Sequence, residues 1–215
     1  MNWDLPRESY CKQKERWPHS GRHLLASYDD DTIVVYQAYS PAIGRFAVEH
    51  GFFGGDFSYR RMSWIKPNFL WMMYRSDWGR SLNQEVILGV RLRRSFFDSI
   101  LEQAVPSSFT SALFATEEKW KSAVGQSEVR LQWDPDHSPS GEKVERRAIQ
   151  LGLRGDMLDA YGKREIVEII DMSEFVAAQR SNVNKERIGE LMTPLERTYW
   201  PAESIAAKIG LDVAC

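Results

Sequence analysis

Residues 64–78 read WIKPNFLWMMYRSDW, and the fold turns on how this segment is placed. It holds three of the eight tryptophans (Trp64, Trp71, Trp78), together with Met72, Met73, Tyr74 and two cations, Lys66 and Arg75. Large aromatic and aliphatic side chains supply most of the burial energy of a core. The segment is therefore expected to be either the central buried helix or one wall of a site for something flat and anionic. Pro67 suits a helix start because its missing N–H would be unpaired there anyway, and Phe69 to Ser76 contains good helix formers with almost no polar interruption. At helical spacing Trp71, Tyr74, Arg75 and Trp78 share a face, while Phe69, Leu70, Met72 and Met73 cover the others. The expectation is a helix buried nearly all round, with one aromatic and cationic side.

Working outward, residues 32–40 (TIVVYQAYS) are β-branched and aromatic, and alternation sets Ile33, Val35, Gln37 and Tyr39 against Val34, Tyr36, Ala38 and Ser40. Apolar residues on both faces predict a central strand. Ser40, Pro41 and Gly51 then read as the cap, first position and left-handed stop of a helix. Residues 85–92, 128–134, 147–153 and 165–171 read as further strands, and residues 107–127 as one helix with a broken start. The polar run PDHSPSGEKVE after Asp134 reads as a surface loop, and residues 1–22 as a loosely ordered N-terminal arm. The irregular alternation of strands and helices points to α+β. The expectation is a single compact domain over residues 23–215, with mixed or antiparallel sheets and flanking helices.

The chain has 215 residues and a net charge of −2, so no global field draws it to nucleic acid or an anionic membrane. Charge is nevertheless segregated. Residues 60–94 carry eight cations against two acids, whereas residues 155–215 carry seven cations against eleven acids, so an anionic ligand is expected in the middle third. The two cysteines, Cys11 and Cys215, do not make a disulfide framework. With no signal-like run and no stretch of roughly 18 apolar residues, the expected location is the cytoplasm, or cytoplasm and nucleus, with no membrane partner.

The phosphate-loop, dinucleotide, zinc-protease and serine-hydrolase motifs are all absent. The four histidines, at 19, 23, 50 and 137, are too scattered for a histidine-built metal centre, and Asp134, Asp136 and His137 read more simply as a proline turn. What stands out is a glutamine inside each of three predicted strands: Gln37, Gln132 and Gln150. A buried amide left unpaired loses about 1–3 kcal/mol, so each must meet a partner, which is either backbone and water or a ligand. Gln150, between the small residues Ala148 and Gly152, has room beside it for a ligand. Tyr36, Tyr39 and Ser40 add hydroxyls, Tyr74 a ring, and Lys66, Arg75 and Arg147 donors suited to phosphate.

The runs VYQAYSPAI, MSWIKPNFLWMMYRSDW, QWDPD and RAIQLGL, in this order, resemble the domain of unknown function family 4291 over about residues 20–200. The resemblance implies no activity, but it marks Lys66, Trp71, Tyr74 and Arg75 as candidates. Family members commonly carry an arginine before the alanine that is Ala26 here, where this chain has Leu25; the resemblance then implies either an altered activity or Arg22, slightly upstream, in that arginine's place. A compact α+β domain with Tyr, Gln and Arg on its strands is also loosely similar to ADP-ribosyltransferases, which hold NAD between two small sheets, although no catalytic glutamate motif follows the strands. The leading expectation is an enzyme acting on a nucleotide or nucleic-acid end, with NAD-dependent ADP-ribosyl transfer as its most concrete form. In it Lys66 and Arg75 hold phosphates, Tyr36 or Tyr39 orients a ring, and Gln150 meets ribose or the reacting group. The alternatives are a non-catalytic module for single-stranded nucleic acid and a protein-interaction domain whose Trp-rich segment is entirely core.

Overall fold

The computed structural model describes residues 5–213. In chain order the elements begin with β1 (Arg7–Ser9), α1 (Tyr10–Lys14), β2 (Gly21–Arg22), β3 (Leu25–Ala26), β4 (Thr32–Tyr39), α2 (Pro41–His50), β5 (Ser63–Ile65) and α3 (Phe69–Ser76). There follow β6 (Val86–Arg93), α4 (Arg94–Gln103), β7 (Ala104–Pro106), α5 (Glu117–Gln126), β8 (Val129–His137), β9 (Lys143–Leu153) and α6 (Gly155–Lys163). The chain closes with β10 (Ile166–Asp171), α7 (Ser173–Arg180), β11 (Met192–Pro194), β12 (Arg197–Thr198) and α8 (Glu203–Ile209). This is an α+β fold, and among the described residues no helix is long and apolar enough to cross a membrane.

Two sheets carry the architecture. One is antiparallel, in the order β10-β6-β4; the other runs β2-β9-β8-β7, with β5 pairing β9 as well. They are stitched together by the residue after β5. Tyr36 N donates to Lys66 O at 2.6 Å and Lys66 N donates back to Tyr36 O at 3.2 Å, so residues 63–66 bind β4 on one side and β9 on the other. The central position expected of β4 follows from its two apolar faces. Ile33 and Val35 enter a core with Leu88, Val90, Leu92 and Leu151. Val34 and Tyr36 enter a second core with Phe69, Met73 and Ile87.

Helix α3 roofs that second core, packing on both β4 and β8. Pro67 precedes the helix, and Asn68 caps it by accepting from Trp71 N at 2.8 Å. The helix stops at Asp77, in the left-handed region with φ 50, where the Asp77 N–H returns to Tyr74 O. Phe69, Leu70, Trp71, Met72, Met73 and Ser76 are buried. The expected all-round burial fails at two places, Tyr74, which is 41% exposed, and Arg75, which is exposed. Because Asn68 also donates to Glu196 Oε2 at 3.1 Å, Asn68→Ala removes a cap and a buried hydrogen bond together. It should lower stability by about 1–2 kcal/mol, read as a reduced urea midpoint at unchanged m-value.

Three expectations are corrected. Residues 5–22 are not a loose arm: Leu5, Tyr10 and Trp17 are buried in the second core, β1 pairs β11, and the Gln13 amide donates to Thr193 Oγ1 at 2.9 Å and Pro194 O at 3.1 Å. Residues 1–4 of that arm, and Cys215, lie outside the described residues, while Cys11 is a free thiol. The run after Asp134 is mostly strand: β8 continues to His137, β9 begins at Lys143, and a register shift between Pro135 and His137 accommodates the proline. Helix appears within residues 107–127 only from Glu117, where the Thr116 side chain accepts from Lys119 N.

Candidate functional site

Antiparallel pairing places directly opposite residues on the same face of a sheet. Gln132 lies opposite Gln150, Ile65 opposite Leu151, and Tyr36 opposite Lys66. Continuing the β5–β9 register by one residue sets Lys66 opposite Gln150. Tyr36, Lys66, Gln150 and Gln132 therefore form one row across the seam between the two sheets, on the face roofed by α3. Four residues from four separate segments of the sequence become neighbours in this way.

The row is polar and only partly satisfied. Gln150 Nε2 donates to Gln132 Oε1 at 2.8 Å and to Asp134 Oδ2 at 2.7 Å. Both amide hydrogens are thereby used, leaving the Gln150 oxygen, the Gln132 amide nitrogen and the second Asp134 oxygen without a protein partner among the described residues. Lys66 is 6% exposed, and its ammonium makes no ion pair or hydrogen bond among the described residues. Burial, reinforced by the charge of Arg75 and opposed by Asp134, pulls the Lys66 amine down to about 8. A buried amine without a paired carboxylate is costly and is a mark of a functional position.

Further buried polar atoms lack partners among the described residues: Tyr36 Oη within the row, Trp71 Nε1 on α3, and both ring nitrogens of His137 at the end of β8. Native interiors leave few such atoms. Tyr74, Trp71 and His137 stack, with the Tyr74 and His137 centroids 3.5 Å apart and those of Trp71 and His137 5.2 Å apart. Tyr74 thus shows solvent a ring backed by two others.

Other expected site residues lie elsewhere. Gln37 and Tyr39 project from the opposite face of β4 into a closed network. Gln37 Nε2 donates to Ser63 Oγ at 2.8 Å and Trp64 O at 3.1 Å, its oxygen accepts from Tyr161 Oη at 2.6 Å, and Tyr39 Oη shares Ser63 Oγ at 2.8 Å. Arg147, on the opposite face of β9, donates to Trp133 O at 2.7 Å, and Ser40 occupies the cap position of α2. Tyr36 belongs to the row but is fully buried and packed edge-on to Phe69 at 5.4 Å. Burial holds its phenol well above the usual tyrosine range, so Tyr36 supports the row from within and does not face a ligand. The room expected beside Gly152 is filled, since a Cβ there would come within 2.6 Å of Met62 Sδ and 3.0 Å of the Trp64 ring.

In the sequence Asp134 ends a predicted strand, and Asp134, Asp136 and His137 together read as a proline turn in preference to a metal cluster. Among the described residues no group of His, Cys, Asp and Glu could hold a metal. Asp134 binds Gln150 instead, and Asp136 pairs with Arg146 at 2.5 Å. A cavity of about 320 Å3 at the edge of β8 is lined by Arg22, Phe109, Gln132, Trp133, Asp134 and Ile209. Leu25, where the resemblance implies arginine, is 2% exposed in the second core, whereas Arg22 reaches this cavity. No curated protein matches the chain. A family model, Domain of unknown function (DUF4291), matches residues 23–199, so the chain belongs to that family.

Proposed function

We propose that this DUF4291 member is an enzyme acting on a nucleotide or a nucleic-acid end, with ADP-ribosyl transfer from NAD as its most concrete form. The observation that carries the reading is the row Lys66, Gln150, Gln132 with Asp134, set where two small sheets meet and carrying a buried amine without an ion pair among the described residues. Arg75, exposed and without an ion pair among the described residues, has its fork available for phosphate. Tyr74 offers a ring for stacking. The unused amide and carboxylate atoms of Gln132, Gln150 and Asp134 suit ribose hydroxyls or a carboxamide. In the transfer, the bond from ribose to nicotinamide breaks with its electron pair leaving on nicotinamide, and the bond from ribose to the acceptor forms. The acceptor's proton then goes to a base, for which Asp134 is the carboxylate on this face. Such chemistry rests on positioning and charge stabilisation, which accounts for the absence of a triad.

Isothermal titration with NAD, ATP and short RNAs tests the reading. Saturable binding to at least one is expected, weakened roughly tenfold by Arg75→Ala, since hydrogen bonds to charged groups contribute about 1.5–3 kcal/mol. The thermal midpoint should not move, because Arg75 is exposed. Silence across the panel would end the idea. The exposure of Tyr74 and Arg75 also favours a second reading, a non-catalytic single-strand module, which predicts steeply salt-dependent RNA affinity without turnover of NAD or ATP.

A further inference from the structure

His137 has an unusual position. It is 2% exposed, yet neither ring nitrogen has a hydrogen-bond partner among the described residues. An imidazole can donate and accept, or donate twice when charged, and leaving both atoms unpaired in the interior costs several hydrogen bonds' worth of solvation. Burial lowers its pKa against the opposing pull of Asp136, so the neutral ring offers one N–H to a ligand. The ring cannot readily turn outward, because it is stacked against Tyr74 and Trp71 and its backbone N–H is held by Asp136 Oδ1 at 2.7 Å.

His137 lines a cavity of about 60 Å3 together with Tyr10, Lys14, Trp17, His19 and Arg146. One ordered water requires about 10–15 Å3 of such space, so the volume takes about four oxygen atoms. The charged groups on the wall are cationic. Lys14 is exposed and makes no ion pair among the described residues. Arg146 is fixed by Asp136 Oδ2, through Nε at 2.8 Å and Nη2 at 2.5 Å, and by Pro18 O at 2.7 Å, while lying over Trp17. Among the described residues no carboxylate lines the cavity.

We infer that this cavity is a binding site for a small tetrahedral oxyanion of the phosphate class, held by His137 from within and by Lys14 and Arg146 from the wall. It is a separate site from the Lys66 row and does not depend on the nucleotide reading. Arg146 is pre-oriented by Asp136, so little ordering is needed on binding. Lys14 and His19 are exposed, giving the anion a way in.

The test is a titration of the whole chain with inorganic phosphate, followed by the imidazole proton signals of the four histidines, with ribose 5-phosphate in a parallel arm. The expected result is a saturable shift of the His137 signals. Binding should be lost in His137→Phe, which keeps a flat ring in the stack, and roughly tenfold weaker in Lys14→Ala, which removes one charged hydrogen bond. Tighter binding of ribose 5-phosphate would identify the end of a larger phosphomonoester as the ligand, and equal or weaker binding the free ion. Because Lys14 is exposed, its variant carries the test even if His137→Phe fails to fold. Shifts that grow without saturation, or that saturate equally in Lys14→Ala, overturn the inference.

Discussion

Lys66→Met is expected to stabilise the protein at pH 7 by about 3 kcal/mol while abolishing ligand binding at the row. Burial lowers the Lys66 amine from 10.5 to about 8, and a tenfold change in proton affinity corresponds to about 1.36 kcal/mol. Below pH 8 the folded state must carry the charge in an environment that disfavours it, so the penalty is fully present at pH 7. Between pH 8 and 10.5 the unfolded chain still holds the proton that the folded chain has released, so wild-type stability rises with pH. Methionine has neither the charge nor the penalty. The gain should therefore shrink through that window and vanish above it. For a chain of this size about 3 kcal/mol corresponds to roughly 10 °C in thermal midpoint. Urea unfolding at pH 7 and pH 10.5 reads both limbs, and a less stable variant at pH 7 would show that the amine has an unseen partner. A stabilised variant that has lost its ligand is the signature of a residue kept for function, whereas a stabilised variant that binds normally would make Lys66 scaffold.

Much of this was legible in residues 32–40 and 64–78. The two apolar faces of β4 are written in its alternation, and the helix from Phe69 to Ser76 in its run of helix formers. The polar row was legible only as separate letters. Glutamines inside strands announce that they need partners, but which glutamine faces Lys66 depends on the register of β5 on β9 and on the Tyr36–Lys66 bridge, neither of which is local. Small neighbours set Gln150 apart from Gln37 in sequence, but they do not show the partners: Gln37 is closed off by Tyr161 and Ser63, and Gln150 meets Asp134. The N-terminal segment misleads for the same reason, since Gln13 finds its partners at Thr193 and Pro194. Segments held mainly by long-range contacts carry weak periodicity and read as loops.

Glu196 gives the second large effect, with the opposite sign of slope. It is buried beneath the start of α3, accepting from Phe69 N at 2.6 Å and from Asn68 Nδ2 at 3.1 Å. Burial raises its carboxyl from 4.5 to about 8, outweighing the lowering by the Phe69 N–H, while Asp136 pushes up and Arg146 down. The folded chain therefore retains a proton that the unfolded chain loses, and stability falls as pH rises from 4.5 to 8, by an amount on the order of 4 kcal/mol. Lys66 then reverses the trend between pH 8 and 10.5. Together the two buried groups should carve a stability minimum near pH 8, where most proteins have a plateau. Glu196→Gln should remove the acid limb, raising stability at pH 8 by roughly 3 kcal/mol after about 1 kcal/mol is given up to a weakened contact with Asn68. Lys66→Met should remove the alkaline limb alone. The two donors from the helix start favour a carboxylate, as a helix N-terminus does in general, so the sign is a direct contest between them and burial. If the donors prevail, Glu196→Gln will destabilise the protein at pH 8 and the minimum will be absent.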